Sequence, residues 1–422
     1  MEHLLFAAYL IFFAWLVTKV TFFTASGLTK PQLVIVFLLK VIAGILYGWI
    51  GVYYGEMAQM VDTWAYHFES VKETQHLLSQ PGVFFSDIFH SSYQEGYSNF
   101  LASKNSWWND LKGNSFLKLL AVFNVFSFSQ YYINVIFYSF LSLFGPIALF
   151  RVMRSLYPES KVPILLTTFL VPSFLYWTSG LHKDGLVFLG LAVVVYHVYF
   201  GLKEARFSFP RVLMIVLGLL TVLALRNFLI VPLLPALLAW VAAGKTHFRP
   251  WLVFAGIYGF FIVLFFTAKY LSPQLNFPAA VVDRQQAFLS LGGNSAVEVT
   301  QLEPTFFSFL LNAPQAFALS VLRPYPSDVH HLLSLAAAAE INFLLLLSLV
   351  CLVYRRKGSG AKPAILFFFF FSLSVLLMIG YTVNVLGAVV RYRSVVLTLL
   401  LLPIVGRADW QKLKQSTLKY IQ

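Results

Sequence analysis

Long apolar runs separated by short polar segments occur from one end of the chain to the other. A helix crosses the hydrocarbon core of a bilayer with roughly 20 residues, and most of these runs approach that length. The pattern predicts an all-α protein, a polytopic transmembrane helical bundle of about eleven spans with external loops and interfacial helices. The runs lie near residues 3–24, 32–54, 130–150, 162–178, 185–202, 211–226, 228–243, 250–269, 332–354, 363–385 and 394–406.

Four of these runs differ from an ordinary isolated span. The first is too long for a cleavable signal peptide and lacks a basic start, so it is predicted to be a spanning helix. The runs 211–226 and 228–243 are joined by a tight turn that contains Arg226 and Asn227. The last run, 394–406, is short for a span and leaves little room for tilt.

Composition agrees with a membrane protein. Hydrophobic residues make up 59% of the 422 residues, charged residues only 11%, and the mean hydropathy is +0.76. The single cysteine, Cys351, excludes an intramolecular disulfide framework. No Gly/Ser-rich linker or short repeat divides the chain, so residues 1–422 are expected to form a single integral membrane domain.

The distribution of Lys and Arg predicts which loops face the cytoplasm. Basic residues cluster in alternate loops, which by the positive-inside rule are cytoplasmic, with the N-terminus outside and the C-terminus inside. Retention of Lys and Arg in cytoplasmic loops also explains the net charge of +13 without a nucleic-acid partner. The basic loops contain Arg151, Arg154 and Lys161, then Lys203, Arg206 and Arg211, then Lys245 and Arg249, then residues 355–362 and 407–419.

This sidedness predicts that two long polar segments lie on the external side of the membrane. Residues 55–128 form a loop rich in acids and aromatics, with an interfacial helix expected over 115–127 because apolar and polar residues alternate there. Residues 270–331 form the second external loop. Its apolar part, 306–322, contains Asn312, Pro314 and Gln315, and is expected to be interfacial or re-entrant because a full crossing would invert every later loop.

The stretch 176–186 joins two apolar runs and places His182, Lys183 and Asp184 at the membrane surface. Ionisable groups are costly to desolvate there and are often kept for a task. The alternative is an ordinary solvated hairpin. Position alone does not separate the two interpretations.

Several cations also lie at the external ends of the predicted spans, against the bias that sets topology. Each one could instead extend to lipid headgroups or pair with an acid. Because they come from distant parts of the chain and share one face, a common anionic ligand such as a lipid-linked phosphate or diphosphate is the stronger interpretation. The proposed ligand-binding residues are Lys183, Arg226, Arg323, Arg391 and Arg393, with His182 and Asp184.

Asp62, in a Trp/Tyr-rich segment past the second run, is the candidate catalytic base, although an ordinary solvated loop acid would look the same. Glu56 and Asp184 are substitutes. The nearby aromatic residues Trp64, Tyr66, Trp107 and Trp108 could stack on sugars or anchor the loop in the interface. No cofactor is predicted, since the chain has no glycine-rich phosphate loop, no Cys/His metal spacing and no Gly-x-Ser-x-Gly motif.

The layout resembles polytopic glycan-assembly proteins, namely the GT-C glycosyltransferases and the Wzy-type polysaccharide polymerases. The similar features are an acid in an external loop, as Asp62 is, and external arginines, as in Arg226 and Arg391-Tyr-Arg393. Two runs precede the acidic loop and the paired acids of GT-C first loops are missing, which favours the polymerase type. The resemblance implies a glycosyltransferase or polymerase of a bacterial inner membrane that uses a lipid-linked sugar phosphate, contacts membrane lipid and works with envelope-biosynthesis partners.

Two rival functions remain open at this stage. A transporter or flippase for a lipid-linked glycan could use the same cations, although such sites usually lie near the bilayer midplane. A non-catalytic scaffold could use the mid-span lysines Lys19 and Lys40 to pair with a partner helix. Convergence of the external charges in one cavity would favour the enzyme.

Overall fold

The computed structural model describes residues 2–55, 62–89, 106–292, 295–356 and 362–421. It is 84% helical, and the described residues include no strand. The all-α class is therefore confirmed. The helices, in chain order, are α1 Glu2–Leu16, α2 Thr21–Thr24, α3 Lys30–Gly55, α4 Asp62–Ser79, α5 Pro81–Ser86, α6 Trp107–Ser127, α7 Tyr131–Leu156, α8 Lys161–Phe169, α9 Pro172–Ser179, α10 Lys183–Lys203, α11 Phe209–Arg226, α12 Ile230–Lys245, α13 Pro250–Thr267, α14 Phe277–Leu289, α15 Phe306–Phe317, α16 Leu332–Val353, α17 Pro363–Thr382, α18 Leu386–Arg407 and α19 Trp410–Ile421.

The chain forms two compact units. Unit 1 consists of the described residues up to 89, with 107–152 and 174–228. Unit 2 consists of residue 106, residues 153–173 and the described residues from 229 onward. The candidate residues Asp62, His182, Lys183, Asp184 and Arg226 therefore belong to unit 1. Arg323, Arg391 and Arg393 belong to unit 2.

The protein is an integral membrane protein. Eight helical segments of the described chain are long and apolar enough to cross a bilayer, and a bent pair, Pro158–Phe169 with Pro172–Ser179, makes a ninth if it counts as one span. The expectation of about eleven spans is not confirmed. The differences lie at the first run, at the fourth run, and at the sixth and seventh.

The first and fourth runs are interrupted. The first gives a helix of only 15 residues, Glu2–Leu16, followed after a break by the short α2. The fourth bends by 52° at Leu170 and Val171. Pro172 explains this bend, because proline disfavours helical backbone in the residue before it and starts a new helix well.

The sixth and seventh runs form one segment, Phe209–Lys245, of 37 residues. A 3₁₀ turn at Asn227–Leu229 joins α11 to α12, so Arg226 does not lie in a hairpin turn, contrary to the sequence prediction. The Arg-Asn-Phe-Leu sequence contains no glycine or proline to reverse the chain. With one span in place of two, alternation of the basic loops no longer assigns a side to Lys245 and the residues after it.

The last run is longer than its hydropathy indicates. α18 begins at Leu386 and has 22 residues, so Arg391 and Arg393 lie inside the helix rather than before it. The arginines lowered the local hydropathy and moved the predicted start to residue 394. Their guanidinium groups are accommodated within unit 2, as described below.

The two predicted loops contain helices. In the first, α4 and α6 pack against each other, and Lys118 of α6 binds Glu73 of α4 at 2.9 Å. In the second, Phe306–Leu322 forms a helix with a final π turn, which is not among the candidate spans. The placement of both segments outside the membrane stays a prediction.

Close helix packing fixes the frame of unit 1. α10 crosses α11 where Gly190 faces Gly218, and a Cβ on Gly218 would lie 2.7 Å from the Gly190 carbonyl oxygen. Only glycine permits this approach, as at other small-residue crossings of membrane helices. The crossing runs the two helices side by side, which places the start of α10 beside the end of α11.

Candidate functional site

The connection between α9 and α10 is buried. Every residue from Thr178 to Phe188 is shielded from solvent. The sequence left a solvated hairpin and a functional turn open, and this burial excludes the solvated hairpin. Its polar groups are therefore bound within the protein.

Lys40 of α3 holds the beginning of this connection. Its amine donates to the Thr178 carbonyl oxygen at 2.6 Å and lies 3.2 Å from the Ser179 hydroxyl. A buried ammonium group needs such oxygen partners to offset its desolvation. Lys40 is thus explained by contacts inside this chain, and the scaffold interpretation loses its support from that residue.

Tyr138 of α7 holds the other end of the connection. Its buried hydroxyl donates to the His182 carbonyl oxygen. At Gly185, a Cβ would lie 2.5 Å from both the Thr178 carbonyl oxygen and the Tyr138 hydroxyl. Glycine at this position lets the first turn of α10 approach α7, and this fixes the backbone that carries His182 and Asp184.

His182 caps α10 and contacts the acid two residues later. Its Nδ1 atom lies 2.8 Å from Asp184 Oδ2 and 3.4 Å from the Asp184 backbone nitrogen. One nitrogen cannot donate to the carboxylate and accept from the amide at the same time. The shorter contact, to a charged acceptor, decides that Nδ1 carries a proton, which leaves Nε2 to face the opposite direction.

Asp184 is fully buried and also pairs with Arg226 Nη2 of α11. The pairing puts a counter-charge beside a carboxylate that would otherwise be costly to bury. It also occupies the guanidinium, which the sequence assigned to a substrate phosphate. In the structure Arg226 supports Asp184, and Asp184 orients the His182 imidazole, as a buried Asp orients the catalytic His of known acid–base sites.

Asp62 contacts the other face of the imidazole. Its Oδ2 atom lies 3.5 Å from His182 Nε2, and its side chain is 29% exposed, compared with 1% for His182. Asp62 opens α4, whose first turn is fixed by a 2.6 Å hydrogen bond between the Thr63 and Tyr131 hydroxyls. Four residues from three separate parts of the chain therefore form one row: Asp62, His182, Asp184 and Arg226.

Lys183 lies beside this row and is buried. Its amine is 4.6 Å from the centre of the Tyr66 ring, and that ring is 5.7 Å from the His182 ring. A cation over an aromatic face is stabilised by the ring quadrupole. Two carboxylates, Asp62 and Asp184, thus share this end of unit 1 with two cations, Lys183 and Arg226.

The aromatic residues near Asp62 are used by the fold. Trp64 stacks on Tyr131 with ring centres 4.0 Å apart and donates to the Gly48 carbonyl oxygen at 2.8 Å. His67 of the same helix packs on Trp64 and Tyr131, and burial lowers the pKa of its imidazole. These contacts position α4, and Trp64 is a packing residue here rather than a sugar platform.

Unit 2 contains a different cluster, centred on Arg393 of α18. Its buried Nη1 atom donates to the carbonyl oxygens of Ser320, at 3.3 Å, and Arg323. Its Nε atom has no hydrogen-bond partner among the described residues. Arg393 was predicted to bind the ligand, but its visible contacts hold the backbone that presents Arg323, which is a positioning role.

The other two arginines of unit 2 are more accessible. Arg323 is 29% exposed on its side chain, lies 5.2 Å from the Tyr325 ring centre, and is 3.8 Å from Asp328 Oδ1. Arg391 is half-buried, with its guanidinium beside the Tyr392 ring. Two residues along a helix differ by about 200°, so Arg391 lies on a different side of α18 from Arg393.

Some parts of the candidate site were not foreseen from the sequence. Tyr138 and Gly185 lie inside apolar runs, where neither has a signal of its own. In unit 2, Glu340 of α16 accepts from the Ser173 backbone nitrogen at 3.0 Å and its hydroxyl at 2.9 Å. Glu340 is an acid within the apolar run 332–354, and this position could have indicated a buried polar contact. Glu56, the substitute base, lies outside the described residues.

The row in unit 1 suits proton transfer better than metal binding. No group of three or more His, Cys, Asp or Glu in the described chain could hold a metal ion. In the row, His182 and Asp184 already satisfy each other. Asp62 is the partly exposed end, where a substrate hydroxyl could approach.

No protein-family model, curated protein or solved structure matches this chain. The function is therefore argued from the chemistry of the site.

Proposed function

We propose that this protein is a membrane glycosyltransferase or polysaccharide polymerase that uses a lipid-(di)phosphate-linked sugar, with Asp62 and His182 as its acid–base pair. The observation that carries the proposal is the row Asp62–His182–Asp184–Arg226. A half-accessible carboxylate with a buried, oriented imidazole behind it is an arrangement for taking a proton. The sequence predicted Asp62 alone as the catalytic base, whereas the proposal has Asp62 and His182 share the proton.

The proton inventory explains the 3.5 Å separation of Asp62 Oδ2 and His182 Nε2. With Nδ1 protonated, a neutral His182 and an ionised Asp62 have no proton between them, and the contact is longer than a hydrogen bond. When a proton arrives from a substrate, the pair can share it and shorten. The Asp184 carboxylate then stabilises the imidazolium form.

The reaction follows from these roles. The acceptor hydroxyl oxygen forms a bond to the anomeric carbon of the donor sugar, and the bond from that carbon to the phosphate oxygen breaks. The hydroxyl proton passes to Asp62 and is shared with His182. The electron pair leaves on the lipid phosphate, whose charge needs cations. Within unit 1 the proposal assigns that task to Lys183, the buried cation beside the row.

The sidedness of unit 1 agrees with a lipid-linked donor at the extracytoplasmic face. Arg151, Lys203 and Arg211 belong to the opposite end of unit 1 from His182, because Arg151 contacts Tyr196 near the end of α10. Basic residues mark the cytoplasmic end.

The test replaces Asp62 with Asn and uses Glu69→Gln as a matched control. Glu69 is on the same helix, is exposed, and pairs with Lys72 of its own helix at 2.8 Å. Loss of a general base lowers transfer by about 100-fold or more. The assay follows elongation of radiolabelled polyprenyl-diphosphate oligosaccharides extracted from the producing cells, normalised to protein abundance.

We expect D62N to abolish most elongation and E69Q to leave it unchanged. Equal activity of D62N and the unchanged protein, at equal abundance, would refute the assignment of Asp62 as the catalytic base. Movement of intact labelled lipid across a vesicle bilayer without elongation would show that the protein is a transporter rather than an enzyme.

A further inference from the structure

A cavity of about 420 Å³ lies in unit 1 between α7, α10 and α11. Phe22 of α2 closes one side, and Phe144, Val193 and Tyr196 are among the other lining residues. The break between α1 and α2 allows Phe22 to turn inward. The cavity is thus a mostly apolar space at the depth of the spanning helices, although His197 also lines it.

A cation lies at the edge of this cavity. The Arg151 guanidinium is 4.8 Å from the centre of the Phe22 ring and 5.0 Å from that of Tyr196. One nitrogen lies 3.5 Å from the Phe22 carbonyl oxygen, and no described carboxylate forms an ion pair with Arg151. By contrast, the nearby Arg211 is paired with Glu204.

The cavity and Arg151 share the end of unit 1 opposite to Asp62. Tyr196 lies 13 residues after Lys183 on α10, which corresponds to about 20 Å along the helix. The cavity therefore cannot hold the sugar that the Asp62 row would act on. Lys203, Arg206 and Arg211 mark this end as cytoplasmic by the positive-inside rule.

We infer that this cavity binds an acyl chain of an anionic phospholipid from the cytoplasmic leaflet, whose phosphate contacts Arg151. The apolar wall accepts the chain, and the guanidinium offers paired donors to phosphate oxygens. Two aromatic rings hold the guanidinium in place, so little conformational entropy is lost when the phosphate binds. The cytoplasmic leaflet supplies anionic headgroups at this depth.

The experiment measures which lipids the purified full-length protein retains. The protein in detergent is mixed with equal amounts of phosphatidylglycerol and phosphatidylcholine, and bound lipid is counted by native mass spectrometry. One arginine near an anionic headgroup favours the anionic lipid by about fivefold. The variants are Arg151→Gln, the matched control Arg154→Gln one turn later, and Val193→Phe, which fills the cavity.

We expect R151Q to lose the preference for phosphatidylglycerol, R154Q to keep it, and V193F to retain less of both lipids. Each variant is checked for unchanged elution and thermal unfolding. R151Q and R154Q with the same preference as the unchanged protein would overturn the inference. So would full displacement of the lipid by millimolar inorganic phosphate, because a headgroup site without the cavity would behave in that way. A V193F variant that retains as much lipid as the unchanged protein would also exclude the cavity as the chain site.

Discussion

Two arginines are buried in the part of the chain that the structure describes, and their nearest partners differ. Arg226 in unit 1 pairs with the carboxylate of Asp184, whereas Arg393 in unit 2 donates to two backbone carbonyl oxygens. Both were predicted to bind an anionic ligand because both are cations near the ends of apolar runs. Sequence position does not distinguish a neutralised cation from one that keeps its charge.

The different partners of Arg226 and Arg393 give the two buried arginines different electrostatic roles. A guanidinium paired with a carboxylate contributes little net attraction for a phosphate, but it supplies the counter-charge for buried Asp184 beside His182. A guanidinium on carbonyl oxygens keeps its positive charge and fixes a backbone turn. Unit 1 therefore contains a buried arginine compensated by a carboxylate, and unit 2 contains one held by backbone carbonyl oxygens.

The largest expected effect comes from breaking the buried ion pair. Arg226→Met leaves the Asp184 carboxylate buried without its counter-charge, which costs about 3–5 kcal/mol of stability. The double variant D184N/R226M removes both charges and should recover most of that loss. Thermal unfolding in detergent measures both, and a single variant as stable as the unchanged protein would contradict the pairing.

A smaller effect is expected in unit 2. Arg393→Met leaves two carbonyl oxygens without a donor and removes the positive charge that interacts with Glu340 at longer range, but it breaks no contact ion pair. The cost is expected to be about 1–3 kcal/mol. We therefore expect R393M to unfold at a higher temperature than R226M. The reverse order would mean that Arg393 has a stronger partner than these carbonyl oxygens.

The third prediction concerns the backbone packing beside His182, where the expected loss of stability is similar to that of R393M or smaller. Gly185→Ala would place a methyl group 2.5 Å from the Tyr138 hydroxyl, and overpacking of this kind costs about 1–3 kcal/mol. Gly113→Ala in α6 is the control, since nothing lies within 4 Å of a Cβ there. It should be neutral or stabilising by about 0.5–1 kcal/mol.

Apolar runs predicted most of the spanning helices because hydrocarbon length is a strong constraint that each run satisfies locally. The errors at the first and fourth runs come from helix breaks, and those at the sixth, seventh and last runs occur where distant residues accommodate a charge. Arg226 suggested a surface turn and Arg391 and Arg393 a late helix start, because hydropathy counts a charge without its partner. Asp184 lies 42 residues before Arg226 in the chain, and no local pattern reports that pairing.

The candidate site was predicted in part for the same reason. The residues His182, Asp184 and Asp62 could be selected from their types and positions. Their order in one row, with His182 between two carboxylates, depends on how α4, α10 and α11 pack. The supporting contacts of Lys40 and Tyr138 depend on that packing as well.

The most direct measurement is a double-mutant cycle on transfer by Asp62→Asn and His182→Gln, in the elongation assay described above. If the two side chains share one proton, each single variant loses about 100-fold in rate and the double variant loses little more. Losses that multiply in the double variant, or a single variant with undiminished rate at normal abundance, would contradict the shared acid–base pair.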